Sequence, residues 1–216
     1  MKTERCPFES VDGVKLVGIA DLPDNYKSKS IVVTAHGMDS SKNSDKWREI
    51  GQRFPDAGFG VFRFDFRDCG ESGHTKKPYD FIGKRSDLVA AVNYVKKEFK
   101  PAAVGLMGSS AGGVLALLHA ADDKGIGALV TLATPYHKDD EDAIKRITCP
   151  TLIIHGDADE SISSEDAWRI YNRIPQTTPQ HLEIIEGGDH RFSDPHLRDK
   201  VIGLSLNWFK KYLVNI

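Results

Sequence analysis

One stretch constrains this chain more than any other: Val104–Leu118, which reads V-G-L-M-G-S-S-A-G-G-V-L-A-L-L. The apolar run Ala102–Met107 has the character of a buried strand. The chain then turns through Gly108-Ser109-Ser110-Ala111-Gly112 and continues into good helix formers over Val114–Ala121. A strand, a G-x-S-x-G turn and a helix in that order make a sharp elbow that holds a serine in a strained backbone conformation. Residues two positions to either side of that serine must be small, or their side chains collide as the chain reverses. Gly108 and Gly112 fill those positions. The register follows: Ser110 is the candidate nucleophile and Ser109 the spacer. The following helix aims free N–H groups at the serine, where developing negative charge is favoured. The Ala111 N–H is therefore one candidate oxyanion donor. Because G-x-S-x-G also occurs in ordinary strand–helix turns, a base, an acid and a second donor must come from elsewhere in the chain.

The 216 residues suit one α/β domain with a full core, expected to span 1–216. A net charge of -2 gives no reason to expect nucleic acid, and no apolar run approaches membrane-spanning length. The start, M-K-T-E-R-C-P-F, lacks the apolar core of a signal peptide, so a cytoplasmic location is the expectation. Cys6, Cys69 and Cys149 are scattered, with neither disulfide nor zinc spacing.

Taken in order, Asp12-Gly13 between two extended segments (Cys6–Ser10 and Val14–Ala20) predicts a hairpin. Leu22–Ser30 reads as a surface loop. Ile31–Ala35 is a buried strand, and His36-Gly37-Met38-Asp39 follows at once. Gly37 permits a tight turn that can face the Met38 N–H toward Ser110 as the second oxyanion donor, with His36 ordering the loop rather than doing chemistry. Trp47–Ala57 is helical and Gly60–Asp65 a strand. The following turn carries Arg67, Asp68, Glu71 and Ser72, read as a loop tied by local charge pairs and hydrogen bonds. Phe81–Phe99 is a helix, stopped by Pro101.

After the elbow come a strand over Gly127–Ala133, a short charged connection over Thr134–Ile147 and a strand over Thr151–His155. A helix over Ser163–Ile174 is capped by Ser163 or Ser164. A last strand over His181–Glu186 and a closing helix over Pro195–Leu213 complete the order. Alternating strands and helices predict a mostly parallel twisted sheet with helices on both faces, the site lying beyond the carboxyl ends of the strands.

Two loops lie at such ends. Gly156-Asp157-Ala158-Asp159 offers an acid, and Gly187-Gly188-Asp189-His190 a base. With the H-G loop, F-D-F-R-x-x-G-E-S, G-x-S-x-G, H-G-x-x-D and G-x-x-H in order from Val14 to Phe209, the chain resembles the α/β-hydrolase fold serine hydrolases. Within them it is most similar to small bacterial carboxylesterases, including relatives of feruloyl and cinnamoyl esterases. The S33 peptidases and acyl thioesterases are neighbours.

The resemblance implies a triad of Ser110, Asp159 and His190. Asp159 is favoured over its rival Asp157 because the family's acid stands three residues after the glycine of H-G-x-x-D. His137, His155, His181 and His196 are left as core or surface filler. No metal or cofactor is implied. Small-molecule esters are the expected substrates, with thioester or peptide hydrolysis, or a non-catalytic scaffold, as alternatives. Many relatives insert a cap between the strands ending near Thr134 and beginning near Thr151. Here Pro135–Pro150 has room for one small helix at most, so no substantial cap domain and an open cleft are expected. Tyr136 and Phe192, with Met38, are candidates to line a substrate pocket. Asp39 is expected to disfavour anionic leaving groups such as coenzyme A. Oligomeric state is left open.

Overall fold

The Asp12-Gly13 pair closes the predicted hairpin. Gly13 takes φ 83°, where a side chain is disfavoured, and its N–H donates to the Ser10 carbonyl at 2.9 Å. The turn joins β1 (Lys2–Glu9) to β2 (Lys15–Leu22), antiparallel from Lys2 opposite Leu22 to Glu9 opposite Lys15. The computed structural model describes every residue except Asn25, Ser28, Lys76, Pro78, Tyr79 and 214–216. Within the predicted loop Leu22–Ser30, Asn25 and Ser28 thus lie outside the described residues.

The remaining elements follow in the expected order: β3 (Ile31–Ala35), α1 (Asp45–Asp56), β4 (Gly60–Asp65), α2 (Phe81–Glu98), β5 (Val104–Ser109), α3 (Ala111–Asp122), β6 (Ile126–Leu132), α4 (Glu141–Ile144), β7 (Thr151–Gly156), α5 (Glu165–Tyr171), β8 (Gln180–Ile185) and α6 (Pro195–Leu213). The strands form an eight-stranded sheet in the order β1-β2-β4-β3-β5-β6-β7-β8. β2 pairs antiparallel with β4, and every pairing from β4 to β8 is parallel.

Why the inner strands read as unbroken apolar runs is visible in the packing. Ile31 and Val33 of β3 join one cluster and Val32 the other; Leu106 and Met107 of β5 split likewise, as do Ile153 and Ile154 of β7. One cluster takes Leu88 and Val92 of α2, Leu115 of α3 and Ile170 of α5. The other takes Trp47, Ile50 and Phe54 of α1 and Val201, Ile202 and Phe209 of α6. Each inner strand is thus covered on both faces, as a parallel sheet requires.

Two details differ from the sequence expectations. The helix predicted over Ser163–Ile174 is only Glu165–Tyr171; Ser164 stands at its start without a side-chain cap, while the Ser163 hydroxyl accepts from the Glu165 N–H at 3.2 Å. The loop after β4 has the expected local bonds, among them Ser72 Oγ to the Asp65 carbonyl at 2.6 Å and Thr75 Oγ1 to Asp68 at 2.6 Å, but it is also tied far along the chain: buried Arg67 donates to Asp87 of α2 at 2.7 Å and to Asp12 of the hairpin turn at 2.8 Å. Lys42 similarly pairs with Asp65 at 2.5 Å. As expected, between β6 and β7 stand only a 3-10 turn over Lys138–Asp140 and the four-residue α4, so no cap covers the carboxyl ends of the strands among the described residues.

Candidate active site

At the end of β5 the chain reverses sharply. Ser110 takes φ 56° and ψ -127°, a conformation that side chains rarely adopt. Its N–H is held by the Leu132 carbonyl at 2.9 Å, and its carbonyl accepts from Gly113 N–H at 2.8 Å. The close packing that demands glycine on either side is explicit. A Cβ on Gly108 would run into the Gly112 carbonyl oxygen; one on Gly112 would run into the carbonyl oxygens of Ala35 and His36. Although Ser110 occupies the N-cap position of α3, its hydroxyl makes no cap bond. It lines an open cleft of about 810 Å³ with Met38, Lys46, Ser109, His190 and Arg191 among its walls. That volume suits a small molecule.

The H-G loop is ordered by one buried ring. His36 Nε2 accepts from the Phe66 N–H at 3.1 Å, which leaves Nδ1 to donate to the Gly37 carbonyl at 2.7 Å. Burial is the main reason its pKa falls to about 4, so the ring is neutral. The Gly37 carbonyl and the Met38 N–H belong to one peptide plane and point in opposite directions. By holding the carbonyl, His36 sets the direction of the Met38 N–H. The loop lies against the elbow: a Cβ on Gly37 would stand 3.2 Å from Ser110 Cβ. Neither the Met38 nor the Ala111 N–H has a hydrogen-bond partner among the described residues.

The loops after β7 and β8 meet. His190 Nδ1 lies 2.8 Å from Asp159 Oδ2, and the Asp159 side chain is fully buried. Asp159 Oδ1 accepts from the N–H groups of Ser161 and Ile162, both at 2.9 Å. Burial works to raise the Asp159 pKa, but the hydrogen bonds from His190 and the two amides outweigh it and hold the carboxyl below its ordinary range. Asp157 serves the loops instead. It is exposed, and its Oδ1 accepts from Gly187 N–H at 2.7 Å, tying one loop to the other. No hydrogen bond joins the Ser110 hydroxyl to the His190 ring here, although both line the cleft; such bonds often close only with substrate bound.

Two side chains escaped the sequence reading. His155, read as filler, is fully buried, and its Nε2 lies 3.2 Å from Asp159 Oδ2 and 3.0 Å from the Ile162 carbonyl. The same carboxylate oxygen thus faces two imidazoles. The signal was its place in H-G-x-x-D, four residues before the acid. Lys46, in the first turn of α1, reaches Ser109 Oγ at 3.0 Å; nothing in its local sequence distinguished it from a solvated helix lysine.

Conversely, Tyr136 and Phe192 do not line the cleft. Phe192 has φ 53° and is fully buried in the cluster under α1 and α6. Tyr136 is held aside: its hydroxyl donates to Glu141 at 2.8 Å and its N–H to Asp166 at 3.1 Å.

The family described as alpha/beta hydrolase domain matches residues 28–203. A putative phosphoribosyl transferase of Mycobacterium tuberculosis is 27% identical over 203 residues, which cover 93% of this chain but 44% of that protein. The chain therefore spans less than half the length of that relative. Among solved structures, Est1E from Butyrivibrio proteoclasticus with ferulic acid bound superposes with a TM-score of 0.82 at 21% identity, covering 95% of this chain and 99% of its own. A dienelactone hydrolase from Anabaena variabilis superposes with a TM-score of 0.82 at 25% identity, covering 99% of this chain and 100% of its own.

Proposed function

The chain belongs to the alpha/beta hydrolase domain family, and from that premise we propose that it is a serine hydrolase that cleaves small carboxylic esters through Ser110, His190 and Asp159. The observation that carries this is the 2.8 Å bond between His190 Nδ1 and Asp159 Oδ2, made at the wall of the cleft that Ser110 lines.

Each role follows from the chemistry of the group. The Ser110 hydroxyl attacks the acyl carbon while His190 Nε2 takes its proton. Asp159 holds the ring with its Nδ1–H inward and stabilises the imidazolium that forms. The oxyanion is held by the N–H groups of Met38 and Ala111, each such donor being worth about 3–4 kcal/mol. The alcohol leaves with the proton from His190, and an acyl group remains on Ser110. Water then attacks, deprotonated by His190, which returns that proton to the Ser110 oxygen as the acid departs. The small open cleft favours short or aromatic acyl groups over long lipid chains.

A fluorophosphonate probe tests the nucleophile. The expected result is one covalent adduct, mapped by mass spectrometry to Ser110, with label and ester turnover both lost in Ser110→Ala. Turnover of aryl esters without labelling at Ser110 would overturn the assignment. A faster reaction on acyl thioesters or aminoacyl amides than on matched esters would move the substrate class to those compounds.

A further inference from the structure

The wall of the cleft holds a buried lysine with no carboxylate among the described residues within ion-pair distance. Lys46 is 8% exposed, and no carboxylate oxygen among the described residues lies within 4 Å of its Nζ. Its contacts are the Ser109 hydroxyl at 3.0 Å and the rings of Trp47 and Phe192, 5.3 and 5.7 Å away. Elsewhere the buried cations Lys42, Arg63 and Arg67 each face a carboxylate, and Lys84 donates to the Arg67 carbonyl. Lys46 alone among these lines the cleft. Withdrawing an ammonium from water without a partner is costly, and burial pushes its pKa down to about 8.

Charges of both signs surround it. Arg191, exposed on the cleft, has no ion-pair partner among the described residues, while Arg198 is taken up by Glu49 at 2.8 Å. Ser40, Ser41 and Ser44 bring hydroxyls to the same wall, where α1 begins without a side-chain cap. Of the acids on the cleft, Asp39 is exposed and Asp45 is paired with Arg48 at 2.9 Å. Asp189 lies near enough to favour the charged form of Lys46 but not to pair with it. A buried charge is screened less than these exposed ones.

We propose that Lys46 and Arg191 form a subsite for a carboxylate carried by the substrate, so that the preferred esters are anionic small molecules. The inference rests on ester hydrolysis at Ser110 and names the substrate class of that same cleft. It reverses the expectation drawn from Asp39, whose charge is solvated while that of Lys46 is not.

The test compares two pairs of esters, each a carboxylate with its methyl ester. One pair puts the charge on the acyl half: mono-4-nitrophenyl adipate and its terminal methyl ester. The other puts it on the leaving half: 4-acetoxybenzoate and its methyl ester. In at least one pair the anionic member is expected to have the higher kcat/KM, and Lys46→Met to lower the anionic-to-neutral ratio by about tenfold or more. Ser109→Ala, which keeps the ammonium and removes its hydrogen bond, is expected to keep the preference. A ratio near one in both pairs, or a ratio that Ser109→Ala removes as fully as Lys46→Met, would overturn the subsite.

Calorimetry separates this from the hydrolytic assignment. Adipate is expected to bind the Ser110→Ala protein, and more weakly when Lys46→Met is added. Binding without turnover of any ester would sink the hydrolase and leave the subsite standing. Turnover with no anionic preference in either pair would do the reverse.

Discussion

Asp159 and Asp157 sit two residues apart in one loop, yet only the first reaches an imidazole. Asp159→Asn is expected to lower kcat for ester hydrolysis by about 10³- to 10⁴-fold. Asp157→Asn keeps the oxygen that accepts from Gly187 and should change kcat little; steady-state kinetics of the two variants decides between them. His36 gives a prediction on pH. Its folded pKa of about 4 lies below the ordinary value of 6.5, so at lower pH the unfolded chain binds the extra proton first. Stability from this ring is fully present above pH 6.5 and is lost as pH falls toward 4, by about 3 kcal/mol in all. Urea denaturation at about pH 7 and about pH 4.5 should show a steeper acid loss in the native protein than in His36→Gln. The register of the elbow, and with it Ser110, was legible because the steric demand is local: glycines two residues away. His155 was legible too, standing four residues before the acid in H-G-x-x-D; Lys46 was not, because what marks it is Ser109, a partner brought close only by folding.

Among the elements, two glycines in helices show opposite demands. In α3, Gly112 abuts the carbonyl oxygens of Ala35 and His36, so the helix can approach β3 only without a side chain there. Gly112→Ala should cost about 1–3 kcal/mol and lower ester turnover, since the elbow must shift. In α6, Gly203 has nothing within 4 Å of where its Cβ would stand. Gly203→Ala should stabilise by about 0.5–1 kcal/mol through helix propensity alone. Thermal melts of both variants test the contrast. Strand positions were readable because apolar runs such as Ile31–Ala35 are buried on both faces; the shorter extent of α5 was not, since its end at Tyr171 has neither glycine nor proline to mark it.

For the molecule as a whole, the sheet brings residues 36–38, 109–111, 159 and 190 to one end, and the short β6–β7 connection leaves that end open. With no roof to enclose a chain, kcat/KM for 4-nitrophenyl esters should fall from butyrate to laurate, without a rate jump when the ester forms an interface with water. A rising series would show that long chains find a groove the fold does not supply. The layer order and the open cleft were predictable from element order and connection length. The pocket lining was not: the orientation of Tyr136 and Phe192 is set by Glu141, Asp166 and a left-handed backbone.

The hairpin at one margin of the sheet has a further consequence. β1 turns Lys2, Thr3, Arg5, Pro7 and Glu9 to solvent, and Pro7 has no N–H to offer. Charge and proline together make that rim a poor template for a strand from another copy. Replacing Arg5 and Pro7 with valine would remove both guards and turn a finished border into one that fibrils can grow from.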